Sequence, residues 1–105
     1  MISRLWHGWT TIENADTYER IVSTEVLPEI AARQIPGYRG AHLLRRRLGD
    51  EVEFATIMWF DSLDAIRQFM GDDYEVAHVP PKARAVLARF DARSQHYDQL
   101  LAPDG

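Results

Sequence analysis

The stretch from Glu51 to Met70 constrains the fold most, because a period of two gives way to a helical period within a few residues. Apolar side chains alternate with others along EVEFATIMWF, which is typical of a strand with two distinct faces. Asp61 or Ser62 then caps a helix, and Gly71 is a natural end for it. The apolar residues Leu63, Ile66, Phe69 and Met70 form its core face. We therefore predict a strand over 51–60 that runs directly into a helix.

The first half of the chain predicts the same order. Residues 2–11 alternate as a strand that carries aromatic side chains on both faces. A helix is expected from about residue 16, where Asp16 and Glu19 stand in a capping-box arrangement. Pro28 should kink this helix or begin a new segment. A second strand over 40–48 follows, and Gly49 and Asp50 supply a tight hairpin turn to the third.

The segment after Gly71 predicts a second, shorter helical turn. Tyr74, Ala77 and His78 stand at i, i+3 and i+4, so a helix would place them on one face. Pro80 and Pro81 break the chain again, and Pro81 is expected to open another short helix. Residues 92–100 then predict a fourth strand.

The resulting order, βαββαβ, predicts an α+β fold of the ferredoxin-like kind, a four-stranded antiparallel sheet with helices on one face. We expect a single domain over 1–101 and a loose tail over 102–105. The sheet face without helices also carries large apolar residues. A second copy of the chain is the obvious cover for it, which predicts a homodimer with the two sheets face to face, a dimeric α/β barrel.

Composition narrows the function classes. The net charge of −4 argues against nucleic acid as the main partner. No apolar run approaches a membrane span, no signal peptide is apparent and the 105 residues contain no cysteine, so we expect a cytoplasmic protein. No HxH or HExxH spacing predicts a metal site. No phosphate loop, nucleophile elbow or dinucleotide motif is present either, so a small molecule is the expected partner.

Five pieces of the sequence carry a resemblance to a known superfamily: WHGWT at the start, PGYRG, WFDSLDAIRQF, DYEVAHVPP and the late HY pair. On these, nearly the whole chain resembles the dimeric α/β-barrel proteins of the antibiotic-biosynthesis-monooxygenase type. The resemblance implies the ferredoxin-like fold. It also implies one of several activities: cofactor-free oxygenase, haem-degrading monooxygenase, polyketide cyclase or a stress protein without known chemistry.

The haem-degrading branch implies three positions. His78 falls at that branch's haem-ligand position, His7 falls where the branch has an Asn, and Gln68 falls where it has a Trp. The missing Trp argues against haem degradation, because in that branch the bulky ring helps to ruffle the macrocycle. Haem binding through His78 remains an alternative.

We take His7, His78 and Tyr74 as candidate catalytic residues and Trp9, Trp59 and Phe69 as candidate substrate contacts. We expect the strand face of His7 to point toward the helices, so that His7 lines the same pocket as His78. Trp9 and Trp59 are expected to form a flat aromatic wall for a ring substrate. An imidazole can act as a general base, and a phenol can hold a substrate oxygen. Each also has a purely structural interpretation: a helix-capping histidine at His78, a dimer-interface histidine at His7, and ordinary core aromatics elsewhere.

The leading hypothesis from these residues is a cofactor-independent monooxygenase that acts on a phenolic or enolic substrate, with no cofactor and no metal. Haem bound by His78 is the first alternative. A non-catalytic dimeric protein that binds a ligand or responds to stress is the second, and a closed pocket would favour it.

Overall fold

Strand β1 (Ile2–Thr11) lies at the centre of the sheet and pairs on both of its sides. A computed structural model describes residues 1–103 of the protein. Strands β2 (Tyr38–Leu48) and β3 (Glu51–Phe60) form the predicted hairpin, and β3 pairs with β1. The strand order β2-β3-β1-β4, all antiparallel, is that of the predicted ferredoxin-like fold.

The other edge of the sheet is divided into two short strands, β4 (Arg89–Phe90) and β5 (Gln95–Asp98), which both pair with β1. The prediction of one strand over 92–100 is therefore wrong in its bounds. Between Phe90 and Gln95 the edge makes an outward excursion, since the paired residues of β1 are Gly8 and Leu5. Asp91 keeps the excursion attached, because its N–H donates to the His7 carbonyl at 2.9 Å and its carboxylate accepts from the His7 N–H at 3.0 Å.

Helix α1 (Ile12–Ile21) begins before the predicted start at residue 16. Thr11 caps it, since its hydroxyl accepts the Asn14 N–H at 3.2 Å. The predicted capping box is wrong, because Asp16 and Glu19 lie inside the helix. Both carboxylates instead accept from the Arg45 guanidinium on β2.

A π-helical turn, Val22–Val26, joins α1 to helix α2 (Leu27–Ala32). The Leu27 N–H donates to the Val22 carbonyl, five residues back. Pro28 lies in the first turn of α2, directly after the π-helical turn, and it has no N–H to donate to a carbonyl of the preceding turn. We predicted a kink or a new segment at Pro28. The structure has a new helical segment, α2, which begins one residue before Pro28 and follows the wide π-helical turn.

Helix α3 (Leu63–Met70) follows β3 as predicted, with the Ser62 hydroxyl accepting the Ala65 N–H at 3.3 Å and Gly71 at a positive φ of 88°. Pro81 opens the short helix α4 (Pro81–Arg84). The helical turn predicted over 74–78 is absent. Tyr74 and Glu75 lie in a single turn, in which the Val76 N–H donates to the Asp73 carbonyl at 3.3 Å. From Val76 on the chain is extended beside residues 92–94, because Val76 pairs with Arg93 and the Ala77 N–H donates to the Ala92 carbonyl at 3.1 Å.

The helices cover one face of the sheet. Arg4, Trp6 and Thr10 of β1 are buried beneath them, together with Phe54 and Phe60 of β3. The alternate residues of β1 lie on the other, open face and are partly exposed. The predicted tail over 102–105 lies partly outside the described residues, and 102–103 have no regular structure.

Within residues 1–103 no helix is long and apolar enough to cross a membrane. The cytoplasmic location stays a prediction.

Candidate active site

An inner cavity lies between the helices and the sheet. It holds about 520 Å³ of space free of protein atoms, a figure that includes solvent at its open mouth. Most of its wall is apolar, and the largest members are Trp6, Tyr18, Leu27, Ile30 and Met58. Arg4, Thr56, His78 and Ser94 are polar members of the wall.

An outer groove of about 1010 Å³, open to solvent, continues from the cavity. The two share Val26, His78, Val79 and Pro80, so His78 lies where they meet. The charged residues of the groove are largely paired with each other. Glu29 accepts from Arg33 and Glu25 accepts from Lys82, both at 2.8 Å. The groove therefore offers a charged rim around an apolar interior.

His78 is the predicted catalytic residue that lines the cavity. Its ring meets the Phe69 ring edge-on, with the centroids 5.2 Å apart, and its Nε2 is buried without a hydrogen-bond partner. Burial lowers the pKa of His78, the positive charges of Arg33 and Arg4 lower it further, and Glu29 opposes them. The imidazole is therefore neutral at neutral pH, with one ring nitrogen free for a ligand.

Arg4 is buried in the wall of the same cavity, with 3% of its surface exposed. Its guanidinium donates to the carbonyl of Tyr74 and, at 2.8 Å, to that of Val76, and it lies 3.0 Å from Nε2 of His96. Burial lowers the pKa of Arg4 to about 10, and no acidic group among residues 1–103 opposes this effect. These bonds fasten the extended segment that carries His78 to the central strand.

Tyr74 lies behind Arg4 and is not part of the cavity wall. Its ring meets the His96 ring edge-on at 5.2 Å, and the guanidinium of Arg67 lies 5.4 Å from its centroid. The helical face that was expected to bring Tyr74 beside His78 does not exist, because Tyr74 lies in a single turn and the chain is extended from Val76 on. Phe69 contacts His78 but is buried and does not line the cavity either.

His7 and Trp9 lie on the open face of the sheet, away from the cavity, so the expectation that His7 lines the same pocket as His78 is wrong. Nδ1 of His7 lies 2.8 Å from the Asp91 carboxylate, and the ring stacks on Trp9 with the centroids 6.0 Å apart. Trp59 shares this face, where its Nε1–H donates to Nδ1 of His42 at 3.0 Å. The predicted aromatic wall of Trp9 and Trp59 therefore belongs to the open face.

Arg4, Ser94 and Asp91 are polar residues that sequence reasoning missed. The sequence did contain one indication for Arg4. Arg4 and Trp6 are two residues apart in the same strand, so their side chains lie on the same face, and the face that buries Trp6 also buries Arg4. Nothing local points to Asp91 or Ser94, whose positions depend on the excursion of the sheet edge. Among residues 1–103 no group of three His, Asp or Glu side chains could hold a metal ion.

The lowered pKa of His78 predicts an acid-sensitive fold. The unfolded chain takes up a proton near pH 6.5, whereas the folded imidazole does so only at lower pH. The contribution of His78 to the free energy of unfolding is therefore fully present above pH 6.5. It falls as the pH drops from 6.5 to the pKa of the folded state, and below that pKa no further loss comes from this group. His96 adds in the same direction, because burial lowers its pKa as well.

We expect the urea midpoint of the wild type to fall between pH 7 and pH 5. The fall should be smaller in His78→Gln and smaller again in His78→Gln/His96→Gln. Gln68→Ala, an exposed change on α3, is the control and should keep the wild-type dependence. Equal pH dependence in the wild type and the double variant would contradict the assignment.

Comparison with known proteins bears on the fold. No protein-family model matches the chain, and no functionally curated protein does so. Chains of several solved structures do match, and two of them are described next. A single-substitution variant of MhuD, with two manganese protoporphyrin IX molecules bound per active site, is 18% identical, with a TM-score of 0.70 over 100% of both chains. A Bacillus cereus protein assigned as an antibiotic biosynthesis monooxygenase is 11% identical, with a TM-score of 0.61 over 99% of this chain and 94% of that one.

At these identities the likeness concerns the fold. Both structures match this chain over nearly their whole length, so the likeness covers the entire fold and not one part of it. The fold implied by the sequence resemblance is thereby confirmed. The chain has a ferredoxin-like α+β fold, which it shares with MhuD and with the Bacillus cereus protein.

Proposed function

We propose that the protein is a small-molecule monooxygenase whose substrate is an aromatic phenol or an enol bound in the inner cavity. One observation carries the proposal: a neutral imidazole, His78, has a buried and unpartnered Nε2 in the wall of an apolar cavity. Buried polar atoms normally have partners, so an orphan beside a cavity indicates a missing ligand. The open cavity favours this function over a closed, non-catalytic fold.

His78 supplies the base. With its hydrogen on Nδ1, the lone pair of Nε2 takes the proton from a substrate O–H or from the carbon beside its carbonyl. The resulting anion is electron-rich enough to reduce dioxygen. In the keto form of an enol, CH₂ becomes C=O. In a phenol, the O–H and one ring C–H lose their hydrogens and a quinone forms. In both cases one atom of O₂ enters the product and the other leaves as water with the two hydrogens, so no external reductant is required. The apolar wall keeps bulk water from protonating the anion.

Oxygen consumption with phenolic, quinol and enolic substrates tests this function. We expect His78→Ala to lower kcat about 10²- to 10⁴-fold, the usual effect of removing a general base. His7→Ala is the matched control and should keep the wild-type rate, because His7 lies on the other face of the sheet. Oxygen uptake that survives His78→Ala, or its absence with all three substrate classes, would contradict the proposal.

Haem binding is the second candidate, and the same Nε2 favours it. A neutral imidazole with a free nitrogen is the form that ligates haem iron. The cavity and the outer groove meet at His78, and together they offer an apolar interior with a charged rim. MhuD, which has the same fold, was crystallised with manganese protoporphyrin IX. Bound iron would supply oxygen activation, while His78 would hold the metal and the apolar wall would contact the macrocycle.

The two other positions that characterise the haem-degrading branch do not favour haem degradation in this chain. Gln68, at the position of the branch's Trp, is exposed, and His7, at the position of its Asn, lies on the open face. Haem binding without degradation is the form of this alternative that the geometry favours.

Titration with haemin separates the two candidates. If His78 binds iron, the Soret band should shift sharply at a fixed stoichiometry, and His78→Ala should abolish the shift. His7→Ala should behave like the wild type. If the wild type gives no shift, haem is excluded as a ligand. If both assays fail, the hypothesis of a non-catalytic ligand-binding protein takes first place.

We also propose that a second copy of the chain covers the open face. Apolar side chains from several strands are exposed there, with Leu44 at 51% and Tyr97 at 55%, and Ile57 and Trp59 lie beside them. The described helices all pack on the other face, so the chain does not cover this patch itself. Charged residues of the face, Arg46 with Glu53 at 2.7 Å and Arg89 with Glu51 at 3.0 Å, already pair within one copy and would not oppose a second.

Light scattering tests the dimer. Leu44→Asp should convert it to monomer at micromolar concentration, because each copy would bury an unpaired charge in the interface. Leu100→Asp makes the same change at a side chain that is 88% exposed and off the sheet, and it should remain dimeric. A wild-type protein that is monomeric at micromolar concentration would contradict the proposal.

A further inference from the structure

Arg4 is a buried cation, and none of the acidic side chains of residues 1–103 forms an ion pair with it. Its hydrogen-bond acceptors among the described residues are two backbone carbonyls and the His96 ring, all of which are neutral. An imidazole carries no negative charge, so His96 does not balance the guanidinium. Burial and the charge of Arg4 lower the pKa of His96, which keeps its ring uncharged. The guanidinium thus has hydrogen bonds but no charge partner.

The nearby acidic groups are committed elsewhere. Glu75 pairs with Arg93 at 3.2 Å, and Glu29 pairs with Arg33 at 2.8 Å. Both carboxylates belong to pairs that are largely exposed. Because Glu75 and Glu29 already pair with other arginines, neither compensates the positive charge of Arg4, which lies in the cavity wall.

A charge held in this way is costly, because desolvation of a guanidinium is compensated fully only by an opposite charge with good geometry. An apolar side chain would fit the strand parity of Arg4, beside Trp6, at a lower cost. An anion delivered by a ligand would remove the cost and would gain a charge-assisted, forked hydrogen bond in an environment of low dielectric.

We propose that the ligand of the inner cavity carries an anionic oxygen group, a carboxylate on an aromatic ring, which pairs with Arg4. This inference rests on the proposed function, because it takes the inner cavity as the substrate site. The apolar wall would contact the ring, and Arg4 would bind the carboxylate. The inference defines the substrate class as hydroxy-aromatic acids.

The position of Arg4 relative to His78 agrees with such a substrate. Both groups approach the same Phe69 ring: the guanidinium carbon lies 5.7 Å from its centroid and the His78 ring 5.2 Å. An acid anchored at Arg4 would therefore have the rest of its ring near the base. Arg4 would act in binding and orientation, and His78 would move the proton.

Calorimetric titration with matched probes tests the inference at neutral pH. The probes are salicylate with salicylamide and 1-naphthoate with 1-naphthamide, pairs that share shape and differ in charge. We expect the wild type to bind each carboxylate at least about tenfold more tightly than its amide, the usual advantage of a charged hydrogen-bond partner. Arg4→Met should remove this preference, so that each carboxylate binds no more tightly than its amide, and Arg4→Lys should restore part of it.

Arg67→Met is the charge-matched control, since Arg67 is exposed, pairs with Asp64 and lies outside the cavity wall. It should keep the preference for carboxylates. If Arg4→Met does not fold, thermal unfolding of the wild type decides: each carboxylate should raise Tm more than its amide does.

Equal binding of carboxylates and amides by the wild type would overturn the anion site while leaving the cavity as a small-molecule site. A preference that persists in folded Arg4→Met would also overturn it, since the charge would then be recognised elsewhere. Binding of neither probe pair would overturn this inference, and the oxygen-uptake assay would then judge the proposed function separately.

Discussion

The hydrogen bonds from Arg4 to the backbone of Tyr74 and Val76 are the interaction on which the candidate site depends. Residues 71–80, between α3 and α4, contain no helix and have little regular structure of their own, so their position depends on hydrogen bonds to other elements. Arg4 fastens it to the central strand, and pairing with residues 92–94 fastens it to the sheet edge. His78 reaches the mouth of the cavity because the segment is held on both sides.

The two best-placed histidines differ in how their ring nitrogens are satisfied. His7 has a carboxylate at 2.8 Å, on a face that solvent or a second copy reaches, and this arrangement is complete within one chain. His78 is buried against Phe69 and leaves Nε2 without a partner. Because an unsatisfied buried nitrogen destabilises the fold and a satisfied one does not, the incomplete arrangement is the one that indicates a ligand.

Local patterns in the sequence predicted the main elements and their order. The alternation along 51–60 gave β3 with its bounds, and Ser62 and Gly71 gave the two ends of α3, because these signals act within a few residues. The same patterns could not say which face of β1 the helices cover, and His7 was placed on the wrong side for that reason. The i, i+4 spacing of Tyr74 and His78 also misled, because pairing between Val76 and Arg93, distant in sequence, prevails over a weak helical preference.

The parity of β1 links these errors to the site. A strand sends alternate side chains to opposite faces, so once Trp6 is buried under the helices, Arg4 must be buried and His7 must face outward. The fold therefore puts a guanidinium into the helix-covered layer of the molecule, where an apolar residue would cost less. Its bonds to the segment of Tyr74 and Val76 account for its position and its hydrogen bonds, but they leave its charge uncompensated. An anion in the adjoining cavity is the one addition that would balance that charge.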